Sequence, residues 1–276
     1  MDIKKIAIIG SGSMGTAILS GLLKAGFDAA NVSVSTKSAA SASRLAGELG
    51  VTAFSAENHA DANSLAAAGA DVVLVAVKPM YVTTVLQEVS AALLPNALVI
   101  SVAAGITNSA MEAALPSSVA VVRSMPNTPA IVGRAVTGLA CGSRATDAQL
   151  TIASSLFETV GKVVVLEEKQ IDELSAISGS GPAYVFFLVE QFVHAAKALG
   201  FDDATAELLV SETFLGASEL LIASGKEPSE LRRQVTSPNG TTERAIAKLS
   251  EDGLAKLFED ATAAAVARAK EIAAGN

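Results

Sequence analysis

The hydrophobic rhythm of the chain changes once. As far as about Glu168 the apolar residues gather in short runs: 5–10 (KIAIIG), 31–36 (NVSVST), 71–79 (DVVLVAVKP), 97–105 (ALVISVAAG), 119–126 (VAVVRSMP), 135–142 (AVTGLACG) and 162–168 (KVVVLEE). The run at 71–79 does not alternate with polar residues, so it predicts a strand covered on both faces. Between runs, apolar positions recur at helical spacing. Ala17, Ile18, Leu22 and Leu23 share one face, and 38–50 (SAASASRLAGELG) reads as a helix stopped by Gly50. Strands alternating with helices predict an α/β fold built on a parallel sheet. Beyond Glu168 the strand signal ends. Segments 171–178, 182–200, 202–225, 227–236 and 240–274 all read as helices. The change marks a domain boundary, giving 1–166 as the α/β domain and 167–276 as an all-helical one.

Composition narrows the partners. Half of the residues are hydrophobic, 17% are charged and the formal net charge is −8. Phosphate backbones are bound largely through Lys and Arg, so this balance argues against a nucleic-acid partner. No apolar run reaches the roughly 18 residues of a membrane span, and residues 1–5 show no secretory signal. The single cysteine, Cys141, allows no intrachain disulfide and fits a reducing, cytoplasmic setting. His59 and His194 lie far apart with no ligand spacing, so no metal is expected. A small-molecule ligand is.

Candidate chemistry begins at Gly10-Ser11-Gly12-Ser13-Met14-Gly15, a G-x-G-x-x-G that follows a predicted strand and opens a predicted helix. The first glycine permits a tight turn and the second lets a pyrophosphate approach. The third allows close helix–strand packing, while the helix N-terminus faces the phosphates. A tight turn without a ligand is the alternative. An NAD-binding unit carries a carboxylate for the ribose 2′-hydroxyl at the end of its second strand. Here that position reads Ser35-Thr36-Lys37-Ser38, with hydroxyls and a lysine suited to a 2′-phosphate. NADP is therefore expected, with NAD as the alternative.

Further stretches point one way: GSGSMGTAI (10–18), AVKP (76–79), VAAGIT (102–107), RSMPNTPA (123–130), SGSGPAYVF (178–186) and SPNGTT (237–242). In this order, across nearly the whole chain, they resemble the pyrroline-5-carboxylate reductase family. RSMPNTP and SGSGPAYVF together are the specific part. The resemblance implies an N-terminal Rossmann-type domain, a C-terminal helical dimerisation domain, and hydride transfer from NAD(P)H to 1-pyrroline-5-carboxylate, giving L-proline. It implies that residues 10–15 cradle the pyrophosphate and that Ser35, Thr36 and Lys37 face the adenosine ribose. The resemblance implies a cofactor asparagine ahead of the strand at Asp71, a place that Asn63 holds, with Asn58 a weaker candidate. Ala76, Val77, Lys78 and Pro79 would line the nicotinamide ribose, and Ala103, Ala104 and Gly105 would leave room for the nicotinamide. Met125, Pro126 and Asn127 would wall the reacting centre, and Glu168 would lie near the substrate amine or be a plain surface acid.

At the substrate end, Pro238-Asn239-Gly240 signals a turn and Thr241-Thr242 starts a helix. Free N–H groups there, with Ser237, Gly240, Thr241 and Thr242, suit a carboxylate. The resemblance makes Thr242 the hydroxyl facing the substrate nitrogen; a plain helix cap is the competing reading. The chain departs from the family in having Asn239 where Gly-Gly is usual. Asparagine tolerates the left-handed conformation best after glycine, so the same loop is expected.

Other functions use the same frame: another NADP-dependent imine reductase, a hydroxyacid dehydrogenase or a non-catalytic NADP-sensing protein. A hydroxyacid dehydrogenase of this plan needs a lysine on the first long helix after the junction, and residues 179–191 hold none. A non-catalytic NADP sensor would need neither the anion loop nor the proline-bounded wall. Gly179-Ser180-Gly181 is not read as a second phosphate loop, because a helix precedes it. It predicts a helix–turn–helix bend, with Pro182 in the first turn of a helix ending near Gly200. That helix is apolar on every face at its start, so it is expected between two copies of the chain, with assembly into larger homo-oligomers left open.

Overall fold

The computed structural model describes residues 3–251 and 253–273. Met1 and Asp2, part of the stretch read above for a leader, and the end of the last predicted helix at 274 lie outside the described residues. The first part of the chain runs β1 (Ile6–Ile9), α1 (Ser13–Lys24), β2 (Val32–Thr36), α2 (Ala39–Leu49), β3 (Thr52–Ser55), α3 (Ala62–Ala67) and β4 (Val72–Val75). It continues through α4 (Val82–Val89), β5 (Leu98–Ser101), α5 (Asn108–Ala113), β6 (Ala120–Met125), β7 (Ala135–Cys141), α6 (Asp147–Glu158) and β8 (Gly161–Val165).

Each predicted run holds a strand. The unpredicted strand is β3, a half-exposed edge of only four residues with no apolar run to announce it. The sheet order is β3-β2-β1-β4-β5-β6-β7-β8. All neighbours pair in parallel except β6 and β7, which are antiparallel. The predicted parallel sheet is present, with this one antiparallel pair within it. The link between them is a short turn of 3-10 helix, Thr128–Val132, and a parallel return needs a crossover of a dozen residues or more.

Register places the candidate segments. Ser35, Ile9, Val75, Ser101 and Arg123 stand side by side in one row across β2, β1, β4, β5 and β6. The chain therefore leaves the same carboxyl edge at 10–15, 76–79, 102–105 and 124–127. Strand order reverses between β1 and β4, which is where sheets of this kind open a ligand crevice. Both faces are covered. Ile8, Ile18, Leu22 and Phe157 are buried on one side; Ile9, Val75, Leu86 and Met111 on the other. Burial of each such side chain is worth roughly 1.5–3 kcal/mol, so the edge is held by a stiff scaffold.

After β8 come α7 (Ile171–Leu174), a wide π-type turn (Ser175–Gly179) and α8 (Gly181–Ala198). Then follow α9 (Asp203–Ser224), α10 (Pro228–Gln234), α11 (Thr241–Glu251) and α12 (Leu254–Ala273). The predicted bend between helices stands at Ser180, but not on glycine freedom: Ser180 N donates to Ser175 O at 2.8 Å and neither glycine takes a positive φ. Gly179 serves close approach instead. A Cβ there would meet Ser175 Oγ at 3.1 Å and Met125 Cε at 3.2 Å.

By internal contacts the chain divides into two compact units, Gly181–Ala264 and the remainder, which includes Ala265 onward. Within Gly181–Ala264, Ala196, Ala206 and Val210 are buried against Val189, Val193 and Phe214, and Phe192 meets Phe214 edge-on at 6.4 Å. Most other large apolar groups face outward in the single chain, with Phe186 69% and Phe187 60% exposed. No single helix among the described residues is long and apolar enough to cross a membrane.

Candidate functional site

The glycines of the first loop have separate reasons to be glycine. Gly10 has φ 86°, and a Cβ there would strike Val77 Cγ1 at 2.6 Å. A Cβ on Gly15 would come within 2.9 Å of Gly10 O. Both are demanded by the fold. A Cβ on Gly12 would meet nothing within 4 Å, so that glycine keeps open space above the loop. Gly10 N and Ser11 N both donate to Ser35 O at 3.1 Å, which ties the loop to the end of β2. Gly12 at the start of α1 supplies no side-chain cap, so the first-turn N–H groups of Ser13, Met14 and Gly15 point out of the helix uncapped. Ser11 Oγ is buried without a partner among the described residues. An uncapped N-terminus, an open face and an orphaned hydroxyl fit a pyrophosphate.

At the end of β2 the hydroxyls turn inward. Ser35 Oγ donates to Asn63 Oδ1 at 2.7 Å and accepts from Gly10 N at 3.3 Å. Thr36 Oγ1 donates to Ser38 O at 2.9 Å. Asn63 Nδ2 donates to Glu88 Oε2 at 2.9 Å, so Asn63 braces the loop through Ser35. Lys37 is exposed, and Asn58 sits exposed in the turn after β3. One acid that the sequence did not suggest stands here. Glu57 Oε2 accepts from Ala39 N, the first residue of α2, at 2.8 Å.

On the far side of the crevice, Ala76 N donates to Ile9 O at 2.8 Å, and the exposed Lys78 precedes a short turn at Pro79–Tyr81. Val77 fills the space against Gly10. Ala103 is buried, Ala104 exposed and Gly105 left-handed at φ 75°. Ala104 and Gly105 line a cavity of about 250 Å³ together with Arg123, Met125, Ser175, Ser180 and Arg268.

That cavity is edged by a charge cluster the sequence reading passed over. Arg123, 3% exposed, donates from Nη2 to Asp172 Oδ1 at 2.7 Å and lies 3.7 Å from Glu168 Oε1. Its Nε has no partner among the described residues. Glu168 Oε1 also accepts from Asn108 N, at the start of α5, at 2.6 Å. One oxygen of Glu168, expected beside the substrate amine or as a plain surface acid, is thus engaged in fastening α5. The signal was present: an arginine inside the apolar run VAVVRSMP must find a buried acid.

The wall at 125–129 is braced rather than free. Asn127 Oδ1 accepts from Val136 N at 2.9 Å, and its Nδ2 donates to Ser178 O at 2.8 Å. Both ends of the amide therefore hold the wall against the π-type turn. Pro126 is buried and Met125 touches the turn at Gly179.

The loop 237–242 belongs to the other compact unit. Gly240 N donates to Ser237 O at 3.0 Å, and Asn239 N to Glu243 Oε2 at 2.8 Å. Asn239 adopts φ 60°, the left-handed conformation its substitution for glycine requires. Thr241 opens α11, and Thr242, half-buried, lies in its first turn. Among the described residues no cluster of acids, histidines and cysteine is placed to hold a metal.

Comparison with known proteins adds the following. Residues 168–272 match the family model described as pyrroline-5-carboxylate reductase dimerisation, and residues 5–105 match that of NADP oxidoreductase, coenzyme F420-dependent. The pyrroline-5-carboxylate reductase of Pseudomonas aeruginosa is 40% identical over 274 residues, covering 99% of this chain and 98% of its own. That of Corynebacterium melassecola is 40% identical over 270 residues, covering 97% and 98%. Among solved structures, a pyrroline-5-carboxylate reductase from Coxiella burnetii superposes with TM-score 0.91 at 38% identity, covering 97% and 98%. Pyrroline carboxylate reductase from Plasmodium falciparum, with NADP bound, gives 0.84 at 25% identity, covering 99% and 98%.

Proposed function

The chain belongs to the pyrroline-5-carboxylate reductase family, and from that premise we propose that it reduces 1-pyrroline-5-carboxylate to L-proline at the expense of NAD(P)H, the last step of proline biosynthesis. The observation that carries the reading is the uncapped start of α1 under an open Gly12, beside the buried, unpartnered Ser11 hydroxyl.

The dinucleotide supplies the hydride when bound. The chain's own work is to hold and to exclude. The N–H groups of Ser13, Met14 and Gly15 take the pyrophosphate oxygens. Ser35 and Asn63 keep that loop in place. Ala103, Ala104 and Gly105 present little bulk, so a flat ring can lie along them. Met125 and Pro126, fixed by Asn127, keep water from the reacting face. Ser237 and Thr241 offer donors to the substrate carboxylate, Gly240 closes the turn between them through its bond to Ser237 O, and the Thr242 hydroxyl hydrogen-bonds the substrate nitrogen as it gains its proton. The imine is already electrophilic, so geometry is the main demand on the protein. With no acid at the end of β2 itself and Lys37 exposed beyond it, NADPH is the favoured donor. The helical region forms a homo-oligomer, and its unit of assembly is a dimer around α8.

The test is spectrophotometric. NADPH oxidation is followed with 1-pyrroline-5-carboxylate and with a panel of other cyclic imines and 2-oxo acids. Turnover restricted to the five-membered imino acid is the expected result. Cofactor binding without turnover of any panel member would leave a sensor, and turnover of an oxo acid instead would leave a hydroxyacid dehydrogenase.

A further inference from the structure

The end of β2 carries no acid, yet a carboxylate reaches the place where one would stand. It comes from the neighbouring strand. Ala56 N donates to Thr36 O at 2.9 Å, extending the β2–β3 ladder by one bond. The chain then turns tightly: Asn58 N and His59 N both donate to Ser55 O, at 3.1 and 2.9 Å. Asn58 N also reaches Ser55 Oγ, at 3.3 Å. The turn holds Glu57 out toward α2, where its Oε2 takes the N–H of Ala39 at 2.8 Å. Ala39 follows Lys37 and Ser38 directly, and Ser38 Oγ already accepts from Ser41 N at 3.3 Å. The end of β2 is bonded to the glycine loop through Ser35 O, so this corner is where the adenosine ribose arrives.

We propose that Glu57 is the residue through which this chain discriminates between the 2′-hydroxyl and 2′-phosphate forms of the dinucleotide, a proposal that rests on the cofactor reading above. A carboxylate at a helix start is a good acceptor for a ribose hydroxyl. Toward a 2′-phosphate it acts oppositely. It occupies the N–H group the phosphate would use, and it is a like charge at the same corner. Lys37 attracts the phosphate while Glu57 opposes it. The chain therefore accepts both dinucleotides, with a preference for NADPH narrower than Lys37 alone would set.

The experiment measures binding without turnover. Dissociation constants of NADPH, NADH, ADP and adenosine 2′,5′-bisphosphate are taken by calorimetry for the wild type, Glu57→Gln and Glu57→Ala. The last two probes carry the adenosine end and no nicotinamide. Melting of the unliganded variants checks the fold; Glu57 is exposed, so it should change little. In both variants the ratio of NADH to NADPH dissociation constants should rise about tenfold, and the ADP to bisphosphate ratio should rise with it. Ratios within about twofold of the wild type, or a fall, overturn the proposal. Failure of all four probes to bind the wild type overturns the cofactor reading, and this inference with it.

Discussion

Gly10 and Gly12 stand two residues apart and answer to different constraints, which separates two outcomes usually confounded. Gly12→Val adds bulk only to open space. It should leave stability within about 0.5 kcal/mol of the wild type while abolishing measurable NADPH binding by calorimetry. Gly10→Ala meets a left-handed backbone and Val77 at once. It should cost roughly 1–3 kcal/mol in denaturant melts whether or not cofactor is present. Thr242→Ala should lower kcat on the order of tenfold or more with the NADPH dissociation constant unchanged. An equal loss in both would remove Thr242 from the nitrogen-facing role. At this scale the sequence was legible where the chemistry is local. Residues 10–15 form a continuous motif, and Asn239 takes the positive φ its substitution for glycine implied. It was silent where partners are brought from afar. Glu57 reaches Ala39 from the end of the neighbouring strand across 18 positions, and Glu168 reaches Asn108 across 60, distances no spacing rule spans.

Elements were legible in proportion to their burial. β4 is four residues buried on both faces and declares itself as VVLV. β3, at the edge and half exposed, carries no such pattern. The reversal of β7 depends on the length of a connection and not on any residue within the strand. Helix ends were clearer than strand edges. Asp202 N-caps α9, accepting from Thr205 N at 2.9 Å and from its Oγ1 at 2.8 Å. These bonds to Thr205 hold its carboxyl below the ordinary range. A depressed folded-state pKa means the stabilisation is present above the unfolded value and is lost as pH falls through the folded one. The protection of the Thr205 amide from deuterium exchange, taken relative to an unstructured amide at the same pH, should therefore fall once acid pH drops below the usual carboxylate range. Asp202→Asn, which still caps but does not titrate there, should remove that dependence.

For the whole molecule, the telling pattern is an unequal division of apolar surface. The sheet buries its strands on both faces, while the unit Gly181–Ala264 leaves Phe186, Phe187, Leu208 and Ile222 largely in water in the single chain. Large apolar groups left exposed in such number on one unit point to an interface. The sequence shows α8 apolar on every face at its start and so in need of burial, from which a second copy of the chain is expected over it. Sedimentation should find the protein as a dimer or larger, and Phe186→Glu should shift it to smaller species with loss of turnover. A wild type that sediments as an active monomer would defeat the dimer reading.

The thin interior of that helical unit, where among the described residues only Ala196, Ala206 and Val210 gather as a buried cluster, has a consequence in mass action. A unit that completes its core with a second copy has no fixed stability of its own. Its folding free energy contains the logarithm of protein concentration. The melting temperature should then climb with each tenfold increase in concentration, and simple dilution, with no denaturant added, becomes a way to unfold it.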